Sequence, residues 1–458
     1  MNKLKVQKYP AYKDSGVEWL GEIPEGWELR RFKYLFKEIN ERSTQGSEDL
    51  LSVSQYTGVT KKSDKVEEGD LLTTASTLEG YKKVYKNDLV SNIMLAWNGS
   101  LGFSPFDGIT SPAYSIYRLN TGNSERFFHY LVRSQIYKSE FKRNSSGVIE
   151  SRLRLYTDDF FAIWSILPPI QEQTAIAKFL DDKTAKIDRA IAQKEKMIAL
   201  LKERKQIIIQ NAVTKGLNYD LCDDFDLADF DSKNQSPSTN HKKSQFRRMK
   251  DSGVEWIGEI PEHWEVKRCK YLFYEVSERS INGNEELLSV SHMTGVTPRS
   301  EKEINMFMAE DYSGSKICQD GDLVYNIMWA WMGALGVANQ TGIVSPSYGV
   351  YRMKKMDSFN KRFLEYKLKT GEYIEYYNKV STGLHSSRLR FYAHMFMNME
   401  ITFPDKNEQD KIITHIETQS VKIDQAIRLQ EQQIVKLKEL KSTLIDGAVT
   451  GKIRVSEL

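Results

Sequence analysis

The stretch "KDSGVEWLGEIPEGWELRRFKYLF" (Lys13–Phe36) returns as "KDSGVEWIGEIPEHWEVKRCKYLF" (Lys250–Phe273), 237 residues later. The repetition continues well beyond it. "LLSVSQYTGVT" from Leu50 becomes "LLSVSHMTGVT" from Leu287, and "NDLVSNIMLAWNGSLG" from Asn87 becomes "GDLVYNIMWAWMGALG" from Gly321. "SPAYSIYRL" from Ser111 becomes "SPSYGVYRM" from Ser345, and "SRLRLY" from Ser151 becomes "SRLRFY" from Ser387. A unit this long is a duplicated domain, because stacked solenoid repeats run only about 20 to 50 residues. The offset between copies drifts in two windows, Lys61–Thr77 against Pro298–Asp311 and Asn120–Glu125 against Lys354–Lys361. A constant frame therefore carries two variable patches.

Each copy mixes strands and helices. "LLSVS", "DLVSNIMLAW" and "AYSIYRL" are rich in β-branched and aromatic residues between turn formers, which predicts strands. "SERFFHYLVRSQIYKSEFK" places Phe127, Phe128, Leu131, Val132, Ile136 and Phe141 near helical spacing, which predicts one helix. Each copy then runs into a long segment free of Gly and Pro, beginning "QEQTAIAKFLDDKTAKIDRAIAQKEK" in the first. Its apolar residues recur every three to four positions, with Ala177, Leu180, Ile187, Ile191, Ile198, Leu201, Ile208 and Ala212 on one seam. The second copy repeats that seam 236 residues on, from Ile413 to Ala448.

A helix of ~40 residues is ~60 Å long at ~1.5 Å per residue, more than one small domain needs for its own core. The two helices are expected to pair with each other, antiparallel because of chain order. The polar interruptions of the seam, Thr184, Lys194, Lys205, Ser420, Gln430 and Lys441, are expected to set its register. The pairings expected are Lys194 with Gln430, Lys205 with Ser420 and Thr184 with Lys441.

The predicted class is α+β, with two similar globular domains separated by an antiparallel coiled coil of two long helices in a pseudo-two-fold repeat. The expected boundaries are a first domain over 1–167, a central helix over 168–214 and a linker over 215–247. A second domain over 248–404, a C-terminal helix over 405–451 and a tail over 452–458 complete the chain. The linker is acidic and then polar, as an exposed connector would be.

Composition bounds the function. At 458 residues, with 40% hydrophobic and 28% charged residues, the chain holds real cores. No secretory leader and no run of ~18 apolar residues is present, so a cytoplasmic protein without a membrane partner is expected. Three widely spaced cysteines, Cys222, Cys269 and Cys318, form no disulfide framework, and the seven histidines lack ligand spacing, so no metal site is expected. No phosphate-cradling Gly-rich loop is found. "LPPI" at Leu167 lacks the residues that flank Pro-Pro in adenine methyltransferases, and "FPDKNEQDK" at Phe403 has no nuclease counterpart in the other copy. No catalytic residue is assigned, and a binding role is expected.

Basic residues interleave with tyrosines at the back of each copy. The candidates for DNA contact are Arg126, Arg133, Lys142, Arg143, Arg152 and Arg154, then Arg362, Lys369, Lys379, Arg388 and Arg390. Guanidinium forks suit phosphates and guanine edges. The competing reading of the same residues is a solvated helix face and a salt-bridged turn. The net charge of +3 is too small to decide between them.

Taken together, "GEIPEGWE", "LSVSQYTGV", "NIMLAW", "SGVIESRLRLY", "LPPIQEQTAIAKFLD" and a long helix, all written twice, closely resemble the specificity subunit of type I restriction-modification enzymes. The resemblance spans essentially the whole chain apart from the linker. It implies two target-recognition domains that read a bipartite double-stranded DNA target. It also implies two methyltransferase subunits docked on the chain, with restriction and translocase subunits joining them and adenine N6 as the methylated atom. S-adenosylmethionine, ATP and Mg2+ would then sit on those other subunits, with no cofactor in this chain. The alternative is a stand-alone two-armed DNA-binding or architectural protein. The copies resemble each other along their length, whereas many such subunits carry unrelated domains, so half-sites related as near-inverted repeats are expected.

Overall fold

In each copy, short runs rich in β-branched and aromatic residues form strands three to five residues long. The computed structural model describes residues 7–65, 77–149, 152–217, 248–301, 311–383 and 389–455. They form two compact units, one made of 1–195 with 431–458 and the other of 196–430. The expected division gave each long helix to a segment of its own. Each of the two units holds the start of one long helix and the end of the other. The expected linker lies mostly outside the described residues, as does Cys222.

In the first unit a four-stranded antiparallel sheet runs in the order Phe36–Ile39, Ser115–Leu119, Asp88–Ser91, Leu101–Phe103. A hairpin, Leu51–Ser54 with Gly58–Lys61, and the pair Lys82–Val84 with Gly108–Thr110 adjoin it. The second unit repeats the order with Phe273–Glu275, Gly349–Met353, Leu323–Tyr325 and Leu335–Val337, and its hairpin is Leu288–Ser291 with Gly295–Pro298. Duplication in sequence is thus duplication in topology.

Two sequence expectations give way. The strand beginning at Asp88 ends at Ser91, short of the full "DLVSNIMLAW". There the Asn92 carboxamide accepts from the Met94 amide, and Gly99, at φ +92°, closes a short 3-10 turn over Ala96–Asn98. The single helix from Glu125 is two helices, Glu125–Arg133 and Gln135–Arg143. Ser134 is extended (φ −67°, ψ 155°), and its hydroxyl donates to the Leu131 carbonyl and satisfies an end that the next turn would otherwise cover.

The long helices span Ile170–Lys215 and Lys406–Val449. In the first unit Ile176, Ala177, Leu180 and Ile187 join a core with Leu444, Ala448 and Val449 of the other helix. In the second unit Leu201 and Ile208 pack against Ile423, Ala426 and Ile427.

The repeated motif is an anchor for the helix start. Trp27 and Trp264 are each 1% exposed. The Trp27 indole N–H donates to Glu172, and the Trp264 indole N–H donates to Glu408 at 3.4 Å, each carboxylate lying in the first turn of its long helix. Trp19 and Trp256 set their rings edge-on to Tyr137 and Tyr373 at 5.2 and 5.0 Å. All four tryptophans pack within the protein.

Candidate nucleic-acid interface

The basic residues singled out from sequence divide by what they touch. Arg126 forms an ion pair with Asp181 at 2.6 Å, and its counterpart Arg362 does the same with Glu417 at 2.6 Å. Both clip the helix after the sheet to the long helix of the same unit. Arg143 pairs with Glu140 at 3.0 Å, and Lys142 lies over the Trp97 ring at 5.3 Å.

Arg133 works differently. Its guanidinium donates to the carbonyls of Leu101 (2.7 Å), Gln55 (2.8 Å), Gly99 (3.3 Å), Tyr56 (3.3 Å) and Ser54 (3.4 Å). Burial lowers its pKa, and no carboxylate is among these partners. Beside it, burial first and then Arg133 push His129 down to about 3, so the imidazole is neutral and its Nδ1 accepts from the Phe103 amide at 3.3 Å. In the second unit the same two places hold Glu365 and Lys369, paired at 2.7 Å, and Glu365 accepts from the Val337 amide at 3.3 Å. The first unit uses a neutral base and a cation where the second uses an ion pair.

The remaining candidates face outward. Arg152, Arg154 and Lys379 are exposed, and Arg390 is half-buried with one guanidinium nitrogen on the Leu389 carbonyl at 3.0 Å. Arg154 exchanges backbone hydrogen bonds with Ser146, and Arg390 with Thr382, so each of these two arginines is held in a short bridge. Each bridge leans on the turn after the sheet strand, through Leu155 N–H to Ile93 and Phe391 N–H to Ile327, both 2.9 Å. Exposed Met94, Leu95 and Tyr156 flank the first bridge, and exposed Trp329 and Tyr392 the second. Arg388 lies outside the described residues.

Several of the polar seam residues find partners beside the seam. Lys205 pairs with Asp424 at 2.8 Å and Lys441 with Asp188 at 2.7 Å, while Lys194 donates to Gln433. Thr184 turns into its own domain, where its hydroxyl meets that of Tyr130 at 3.2 Å. The first two pairs are the same contact made once in each unit, from the repeated "KID" of each helix.

Sequence reasoning missed two features. A cleft of about 680 Å³ in the first unit is lined by five basic side chains, Arg126, Arg133, Lys138, Lys438 and Lys441, against one acidic, Asp188. The matching cleft of the second unit, about 570 Å³, has Lys369 against Glu365. The second is the burial of Lys367: its sequence neighbourhood groups it with the basic residues suited to nucleic acid, yet it is 1% exposed and stands where the first copy has Leu131. Among the described residues, no three His, Cys, Asp or Glu side chains converge as a metal site would need, and no helix is long and apolar enough to cross a membrane.

Residues 24–198 match the family model described as the type I restriction modification DNA specificity domain. Over 465 residues, covering 95% of each chain, the protein is 23% identical to the type I restriction enzyme MjaVIII specificity subunit of Methanocaldococcus jannaschii. It is equally similar, 23% over 469 residues, to the putative MjaX specificity subunit of the same organism, covering 95% of this chain and 96% of that one. Along nearly its whole length the chain is thus similar to type I restriction-modification specificity subunits. Its fold agrees with that of solved structures. A chain from a study of complex assembly and conformational transition of the type I R-M system superposes with a TM-score of 0.58, at 16% identity, over 93% of this chain and 98% of that one. The HsdS subunit of Thermoanaerobacter tengcongensis superposes at 0.52, also at 16% identity, covering 94% and 98%. The α+β class expected from the sequence is the class of these specificity subunits.

Proposed function

We propose that this chain recognises a bipartite double-stranded DNA target, one half-site per unit, and directs adenine methylation and restriction carried out by partner subunits. The observation that carries the reading is the duplication itself: one frame, built twice with the same strand order and the same helix anchor, in a chain similar to specificity subunits along nearly its whole length. Two copies of a recognition frame suit two half-sites, as dimeric DNA readers suit palindromes.

Within each unit the outward bridges supply the DNA-facing charge. Arg152, Arg154, Lys379 and Arg390 are proposed to meet phosphates or a shared base edge, because "SRLR" is identical in both copies and so cannot discriminate between halves. Lys142 flanks them. Arg126 and Arg362 act by holding their domains to the long helices, and Arg143 by its pair with Glu140. S-adenosylmethionine, ATP and Mg2+ belong, in this reading, to the two methyltransferase subunits and to the restriction subunits.

The test is reconstitution. Methyl transfer from labelled S-adenosylmethionine to DNA is measured with the modification subunits alone, with this chain alone, and with both. The reading expects transfer only with both. Transfer by this chain alone, or site-specific transfer without it, contradicts it.

A further inference from the structure

The hairpins Leu51–Ser54 with Gly58–Lys61 and Leu288–Ser291 with Gly295–Pro298 are flanked by the same residues, "LLSVS" before the turn and "TGVT" after it. Between those flanks only the two tip residues differ, Gln55–Tyr56 in one and His292–Met293 in the other. Both turns are locked in the same way. The Ser54 and Thr57 hydroxyls meet at 2.8 Å and the Thr57 amide donates to Ser54 Oγ at 3.1 Å; Ser291 and Thr294 repeat both distances. Gly58 and Gly295, at φ +69° and +66°, let the turn lie against the following helix, where a Cβ would meet Arg133 at 3.4 Å or Glu365 at 2.6 Å. In the first unit Arg133 also clasps the carbonyls of Gln55 and Tyr56.

So firm a frame leaves Tyr56, His292 and Met293 exposed and holds Gln55 half-buried at the wall of the cleft. Tyr56 is 83% exposed and Met293 82%. Neither side chain is needed for the core, yet everything beneath is fixed, which is the arrangement of a preorganised contact. In the first unit the tip also overhangs the basic cleft. Lys138 and Lys438 line that cleft with no carboxylate within ion-pair distance among the described residues, and Arg133 adds a charge met only by carbonyls. Such a cleft attracts polyanions.

Two occupants could explain an exposed tip, DNA or a partner subunit. The difference between the tips selects DNA. If two identical methyltransferase subunits docked on the hairpins, each would meet the same surface, and the tips would be free to stay alike. Half-sites related only as near-inverted repeats still differ at some bases, and a pair of differing tips suits those positions.

Resting on the reading of the chain as a DNA-recognition subunit, we propose that Gln55–Tyr56 and His292–Met293 are specificity-determining contacts, each reading one half-site. The Gln55 carboxamide carries the donor and acceptor that match the adenine edge, and Tyr56 adds a ring for stacking. His292 offers one donor or acceptor, and Met293 an apolar surface suited to a thymine methyl.

The test exchanges the tips. Gln55→His with Tyr56→Met gives the first hairpin the second tip, and His292→Gln with Met293→Tyr does the reverse. The identical flanks already accept both pairs, so folding is retained, and a thermal melt checks it. Each variant is assembled with the modification subunits, a randomised DNA library is methylated, and the modified motif is read by single-molecule sequencing.

The expected result is a change confined to one half-site, with methylation of the original base at one or two positions falling at least tenfold and the other half untouched. A motif unchanged at every position overturns the inference. So does equal loss of both halves in a normally melting complex, which would make the hairpin a docking element. If the wild-type complex shows no sequence preference at all, the recognition reading itself fails and takes this inference with it. Tyr56→Ala, a truncation at an exposed tip, gives a second reading of the first hairpin: the same half-site is expected to lose stringency, and retained stringency counts against the proposal.

Discussion

Lys367→Leu should stabilise the second unit near neutral pH and remove a pH dependence that the wild-type protein carries. Lys367 is buried beneath the repeated motif, with its ammonium over the Trp264 ring at 5.2 Å and the Tyr373 ring at 5.8 Å. Burial pulls its pKa down from 10.5 to about 7, and Glu372 on the next helix opposes the shift. One carboxylate oxygen of Glu372 is itself buried without a hydrogen-bond partner. The aromatic faces recover part of the lost hydration by cation–π attraction, and the remainder is a standing cost.

The folded value lies below the unfolded one, so between pH 7 and 10.5 the unfolded chain binds more protons and stability rises with pH. Below pH 7 both states are charged and the full penalty is present. Integrating this single group from pH 7 to 9 gives a gain of ~2 kcal/mol in the wild type that the leucine variant lacks. Leu131 fills the same place in the first unit, fully buried, so the substitution has a tested shape. Urea midpoints by circular dichroism at pH 7, 8 and 9, for wild type and variant, measure it. The variant should be the more stable at pH 7, with the gap closing by ~2 kcal/mol at pH 9. Parallel pH profiles, or a variant less stable at pH 7, would refute the reasoning, since the lysine would then be neither strained nor titrating.

Three further outcomes follow from the contacts. Arg154→Ala with Arg390→Ala should weaken DNA binding by the assembled complex and flatten its salt dependence, because fewer counterions are released; a well-folded variant with unchanged affinity and slope would exclude those arginines. Arg126→Ala, by contrast, should lower the melting temperature through loss of its pair with Asp181 while leaving the salt slope nearly unchanged, and a change in slope without destabilisation would return Arg126 to the DNA contacts. For Lys205 and Asp424, whose side chains are 26% and 46% exposed, a double-mutant cycle should give a coupling of at most ~1 kcal/mol that shrinks in high salt. A larger, salt-independent coupling would mean that the pair is far better shielded than its exposure implies.

The repeat, the α+β class and both long helices were legible because each is a periodic or duplicated signal extending over tens of residues. Local events were not. The helix break at Ser134 turns on one extended residue inside an unbroken apolar pattern, and the strand ends at Asn92 because its side chain captures the Met94 amide. Neither leaves a mark in hydrophobic spacing.

The seam shows why register was harder still. Two of its lysines, Lys205 and Lys441, each reach a carboxylate that flanks the seam, Asp424 and Asp188, and the heptad spacing of apolar residues does not mark those partners. For the site, sequence placed basic residues in the right regions but could not separate Arg126 and Arg362, committed to ion pairs, from the exposed Arg152 and Arg154. The hairpin tip was visible as two changed letters between identical flanks, and only its exposure on a locked turn gives those letters meaning. Lys367 looked like any helix-face lysine until the tryptophan of the repeated motif was found over it.

The most direct measurement of the central claim is the methylation motif of the assembled complex, read by single-molecule sequencing of DNA modified in its presence. Two similar frames, each reading one half-site, predict a bipartite motif with a methylated adenine in each half, separated by unspecified bases, the halves related as near-inverted repeats. A single continuous motif, or halves with no bases in common, would contradict the account.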